Sequence, residues 1–127
     1  MAKTLALVFG YVFLLVGILG FISNPIVGST GIFHADLNHN LVHLISGIVF
    51  LVVAYSAPAK ASMTLKVFGV VYLLVTALGF ALAPNGPTLL GLIETNMADN
   101  YLHLALGVVI LLAGIKTSNS SMVPQSM

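Results

Sequence analysis

The residues best equipped for chemistry fall in two short runs, Asp36, Asn38, His39, Asn40 and His43 in the first half of the chain and Asn96, Asp99, Asn100 and His103 in the second. On a helix, a separation of four puts His39 and His43 on one face a turn apart, and Asp99 and His103 repeat the arrangement. Three imidazoles and a carboxylate brought together would make a four-coordinate nitrogen and oxygen site for a divalent transition metal such as zinc or copper, with His39, His43, Asp99 and His103 as ligands. His43 and His103 alone would suit bis-imidazole haem ligation, with Gly47 and Gly107 one turn below to admit a flat ring, although no haem-attachment motif accompanies them. Proton or small-solute movement along the polar face is a third use, but below Gly47 and Gly107 both helices turn apolar. Cysteine is absent, which removes disulfides, thiolate metal sites and thiol nucleophiles together. No Ser-His-Asp order, phosphate-binding glycine loop or paired-carboxylate site is present, so the sequence holds no positive sign of an enzyme.

The same residues have a plainer use. Asp36 and Asn96 are favoured N-caps, and Asp99, three residues after Asn96, fits the reciprocal arrangement of a capping box. Asn40 and Asn100 suit hydrogen bonds across a helix pair, and His43 and His103 can be satisfied by a neighbouring amide or carbonyl. Against this stands the cost of ionisable groups inside an apolar span, which are rare and tend to mark paths, partners or cofactors.

The elements that must position them are apolar helices. Of 127 residues, 59% are hydrophobic and 6% charged, against roughly 25% charged in a soluble domain. The mean hydropathy is +1.12. This composition excludes a water-soluble globular protein, and the absence of a basic patch excludes nucleic acid as a partner. A helix crosses the hydrocarbon layer with about 20 residues, and four runs meet that length, at about 4–23, 37–56, 63–83 and 97–115. Turn chemistry separates them at Asn24-Pro25, Ala57-Pro58 and Pro84-Asn85-Gly86-Pro87. Residues 116–127 are Ser-rich and are expected to form a disordered tail. The first run follows Lys3 as a signal peptide would, but it exceeds an ordinary h-region and recurs internally, so it is read as a retained helix.

Four spans put both termini on one side. Lys3, Lys60, Lys66 and Lys116 then share that side, while Asp36, Glu94 and Asp99 fall on the other with His34 and His39. The positive-inside rule places the termini and the central loop in the cytoplasm of a bacterial inner-membrane protein.

The chain also repeats itself. Residues 8–21, VFGYVFLLVGILGF, match residues 67–80, VFGVVYLLVTALGF, at ten of fourteen positions with an offset of 59. At an offset of 60, Asn40, His43, Leu44, Gly47 and Leu51 find Asn100, His103, Leu104, Gly107 and Leu111. Gly10, Gly17 and Gly20 correspond to Gly69, Thr76 and Gly79, stripes that suit close helix approach in lipid. The expectation is therefore an all-α integral membrane four-helix bundle built from two parallel-oriented repeats of a transmembrane helical hairpin, 1–59 and 60–115. A pseudo-twofold axis along the membrane normal would bring equivalent residues face to face.

These segments, together with GIFHADLNHNLVHLISG at 31–47 and ADNYLHLALGVV at 98–109, resemble the bacterial membrane proteins of the domain of unknown function 4383 family. The resemblance runs from about residue 5 to 115 and rests on paired HN-x-x-H-L and DN-x-x-H-L signatures at His39 and Asp99. It implies a small integral membrane protein and no assigned activity, so no catalytic or binding residue is carried over. The expected role is structural or interactive, without a cofactor, with the polar cluster of His39, Asn40, His43, Asp99, Asn100 and His103 ordering the second and fourth helices. A metal- or haem-binding protein and a transport component are the alternatives. The lipid bilayer is the expected surrounding, with a homo-oligomer or another membrane protein as candidate partner.

Overall fold

The computed structural model describes residues 1–83 and 88–121. Four helices dominate: α1 (Ala2–Leu19), α2 (Leu37–Ser56), α3 (Ala61–Leu82) and α4 (Met97–Ser121). All four are long and apolar enough to cross a membrane. A single 3-10 turn, Pro58–Lys60, joins α2 to α3, with Pro58 at a first-turn position where its missing N–H leaves no bond unmade.

Three features differ from the sequence expectation. Helix α1 ends at Leu19 because Asn24 reaches back and donates Nδ2 to the Leu19 carbonyl at 2.8 Å, taking up an acceptor of the last turn. The same side chain accepts the amides of Ile26 and Val27, both at 2.9 Å, and so organises the α1–α2 loop. Helix α4 runs on to Ser121, through six residues expected to begin a disordered tail. There Thr117 donates to the Ala113 carbonyl at 2.8 Å and Lys66 Nζ reaches Ser118 Oγ at 3.3 Å from α3. Finally, the α3–α4 loop holds a small antiparallel pair, β1 (Thr88–Leu89) and β2 (Ile93–Glu94). Its three-residue loop, Leu90 to Leu92, passes through Leu90 and Gly91 in the left-handed region at φ 54° and 70°, and the Leu92 amide donates to the Leu89 carbonyl at 3.0 Å. The expected Pro84-Asn85-Gly86-Pro87 turn lies outside the described residues.

Helix α1 packs along α2, and α3 along α4. Backbone approach at glycine makes this close contact. A side chain at Gly10 would strike Leu51 and the Gly47 carbonyl, and one at Gly69 would strike the backbone of Leu111. The two pairs meet through Phe13, which stacks on Tyr72 with ring centroids 5.3 Å apart and on Phe50 at 5.9 Å. Ala6, Ala54, Ala61, Leu65 and Ile110 complete the interior on the side of the termini.

The distribution of polarity is inverted relative to a water-soluble protein. Leu15, Ile45, Val52, Leu74 and Leu112 are exposed, whereas His39, Asn40, His43, Ser46, Asn100 and His103 are buried. The polar interior sits at the ends of α2 and α4 nearest the two long loops.

Candidate metal centre

Both polar helix starts are capped, and by different devices. Asp36 Oδ1 accepts the His39 amide at 2.9 Å. On α4, Asn96 Oδ1 accepts the Asp99 amide while Asp99 Oδ2 accepts the Asn96 amide, both at 2.9 Å, which closes a reciprocal capping box.

From these starts, side chains cross to the opposite loop. Asn38 Nδ2 donates to the Leu92 carbonyl at 2.7 Å, and Asn96 Nδ2 donates to the Ile32 carbonyl at 2.8 Å. His39 Nδ1 donates to the Glu94 carbonyl at 2.7 Å, and Asp99 Oδ2 accepts the His34 amide at 2.9 Å. Ile32 and Leu92, His34 and Glu94, and His39 and Asp99 are pairs sixty positions apart. One member of the last pair meets a C=O and the other an N–H, which accounts for histidine at 39 and aspartate at 99.

Behind this clasp lie three imidazoles. His39, His43 and His103 are 3%, 7% and 3% exposed, and each offers a ring nitrogen within 4.8 Å of the others. Ring centroids lie 4.6 Å apart for His39 and His43, 5.5 Å for His39 and His103, and 6.2 Å for His43 and His103. A carbonyl only accepts, so the His39 bond to Glu94 requires the proton on Nδ1 and leaves the Nε2 lone pair free in the neutral ring. This is the outer-shell bond that orients metal-ligating histidines. His43 Nδ1 and His103 Nδ1 are buried with no hydrogen-bond partner, a condition that ordinarily costs about 1–3 kcal/mol per atom. Three convergent imidazoles with uncommitted nitrogens make a donor set for a divalent transition metal with one coordination position left over.

Of the four ligands expected from sequence, the structure groups the three histidines. Asp99 spends Oδ2 on the amides of His34 and Asn96 and stands outside the histidine group, although it lines the same cavity. The glycines expected to admit a flat ring are packed against the neighbouring helices. A side chain at Gly47 would strike the Leu14 amide and the Gly10 carbonyl, and one at Gly107 would strike Leu73.

Asn40 and Asn100 turn away from the imidazoles. Each lies against a glycine of its neighbouring helix, so that a side chain at Gly20 would overlap the Asn40 amide and one at Gly79 the Asn100 amide. Asn40 Oδ1 and Asn100 Nδ2 have no hydrogen-bond partner.

Two cavities flank the histidines, one of about 150 Å³ towards α1 and α4 and one of about 80 Å³ towards α2 and α3. The smaller brings in Ser46, Tyr72 and Thr95, none of which belongs to the polar cluster expected from sequence. Their signal was nonetheless present, since each departs from an apolar residue at the matching position of the other half of the chain.

Four span-length helices with an apolar exterior and a buried histidine cluster near one end define a small α-helical protein of membrane type. The chain belongs to the family described as Domain of unknown function (DUF4383), whose model matches residues 3–116. No curated protein matches the chain, and neither does any solved structure.

Proposed function

We propose that this protein is an integral protein of the bacterial inner membrane that holds a divalent transition metal ion, of the zinc or copper class, on His39, His43 and His103. The observation that carries the reading is the convergence of three buried imidazoles whose nitrogens lie within 4.8 Å, one of them oriented by a backbone carbonyl. The ion would lie about one to two helical turns from the α2 and α4 starts, since His43 and His103 stand six residues, or about 9 Å, beyond Leu37 and Met97.

In this reading the helices form a four-helix bundle of two like-oriented hairpins, 1–59 and 60–115. The offsets of 59 and 60 support it, as does the meeting of offset-related residues, Phe13 on Tyr72 and His43 beside His103. The lysine distribution supports cytoplasmic termini. The clasp from Asn38, His39, Asn96 and Asp99 to the opposite loops supports a structural contribution that does not depend on metal.

The test is stoichiometry. Protein purified in detergent, stripped with chelator and reloaded with Zn²⁺ should hold one ion per chain by elemental analysis after gel filtration. His43→Ala with His103→Ala should hold none. A stripped protein that takes up no ion, or a double variant that takes up as much as the parent, overturns the reading.

A further inference from the structure

The two cavities beside the histidines are matched in position and opposed in chemistry. Towards α1 and α4 the wall includes Phe13, Ala35 and Leu106; towards α2 and α3 the same offsets of 59 and 60 place Tyr72, Thr95 and Ser46. Valines keep their places in both, Val12 and Val16 against Val71 and Val75. Three apolar positions thus carry hydroxyls on one side of the imidazoles, and all three lie on the same cavity.

Those hydroxyls are not all satisfied within the fold. Tyr72, Thr95 and Ser46 are 6%, 2% and 6% exposed. Tyr72 OH and Thr95 Oγ1 are buried with no well-formed hydrogen bond, and the Ser46 hydroxyl lies close enough to Tyr72 to interact with its OH. His43 and His103, with unpartnered Nδ1 atoms of their own, line the same space. A volume of about 80 Å³ exceeds what one water needs and matches a molecule of a few heavy atoms.

Charge selects the kind of molecule. Three neutral imidazoles leave a divalent ion with its full charge in a site of low dielectric, and Asp99 is the one buried carboxylate among the described residues. One further negative charge balances the centre.

Resting on the metal reading above, we infer that the cavity between α2 and α3 binds a small anion at the remaining coordination position of the metal, with the Tyr72, Thr95 and Ser46 hydroxyls donating hydrogen bonds to it. The ligand class is a hydrogen-bond-accepting anion of about three or four heavy atoms, and the larger, apolar cavity is not its site.

The experiment uses the full chain in detergent, loaded with Co²⁺ and titrated with sodium azide while the visible d–d bands are recorded. Azide is expected to shift the bands saturably. Tyr72→Phe with Thr95→Ala, which gives two of the three positions the residues of their counterparts, should keep the Co²⁺ bands and weaken azide binding about tenfold or more, the loss of at least one charge-assisted hydrogen bond. Phe13→Leu, on the opposite cavity, should leave azide binding as it was. Bands that appear on loading but ignore azide, or an azide affinity unchanged in the double variant, overturn the inference and leave the metal reading standing. A parent protein that shows no cobalt bands removes both.

Discussion

His39 and Glu94 are joined across the molecule by a 2.7 Å bond from a ring N–H to a backbone carbonyl. The partner is main chain, so the bond depends on where β2 runs and not on the Glu94 side chain, whose carboxylate lies 3.7 Å from His34 Nδ1 in a half-exposed pair. The loop between α3 and α4 thereby orients a ring that belongs to α2. Glu94→Gln is expected to leave Zn²⁺ affinity within about twofold, since a partly exposed ion pair at this distance carries little energetic weight. His39→Ala should weaken it by more than about 100-fold, because loss of an outer-shell partner alone already costs 10–100-fold. Competition titration with a chromophoric chelator measures both, and a large effect of Glu94→Gln would assign that carboxylate to the metal.

Asp99 separates two roles that its position combines. Its Oδ2 holds two backbone amides, one in its own capping box and one in the distant α1–α2 loop. Asp99→Asn keeps an acceptor and removes the charge, so it should lower stability by about 1–2 kcal/mol through weakened charge-assisted bonds while one Zn²⁺ per chain is still bound. Unfolding in mixed detergent followed by circular dichroism, beside elemental analysis, reads the two effects. Loss of the ion with no loss of stability would restore Asp99 to the ligand set.

The spans and the polar runs were legible in the sequence because their physics is local. Hydropathy marks a helix in lipid, Asp36 and Asn96 mark helix starts, and a spacing of four puts His39 over His43. What was not legible depended on approach between segments far apart in the chain. Asp99 stands apart from the histidine group, and its carboxylate accepts the amide of His34, 65 residues away. The packing of Gly47 against Leu14 follows from how closely α1 lies on α2. The end of α1 at Leu19 was missed because Asn24 acts from outside the helix.

Asn100 and Gly79 offer a sharper test of helix approach. A methyl at Gly79 has no room beside the Asn100 amide, and in lipid the helices gain little from hydrophobicity to offset the separation it would force. Gly79→Ala should destabilise by about 1–3 kcal/mol, the usual range for overpacking. Asn100→Ala should cost less, since Nδ2 has no partner to lose. In Gly79→Ala with Asn100→Ala the clash is gone, so the double variant should be more stable than the sum of the singles by about 1 kcal/mol or more. Additive behaviour in a double-mutant cycle would show that the two residues are not in contact.

Orientation can be tested cleanly because the chain has no cysteine to remove. Ser29 lies in the α1–α2 loop and Ser118 near the far end of α4, both outside the buried interior. In the proposed topology the lysines at 3, 60, 66 and 116 resist translocation, so that Ser118 lies in the cytoplasm and Ser29 outside. In intact spheroplasts a membrane-impermeant maleimide should therefore label Ser29→Cys and spare Ser118→Cys until the cells are lysed. Replacing Lys60 and Lys66 by glutamine should weaken that bias, because they are two of the four positive residues that set it, and a fraction of the chains should then label at position 118 before lysis. Labelling of Ser118→Cys in intact cells carrying the unaltered lysines would invert the topology and put the histidine site at the cytoplasmic face, where the metal would be drawn from a different pool.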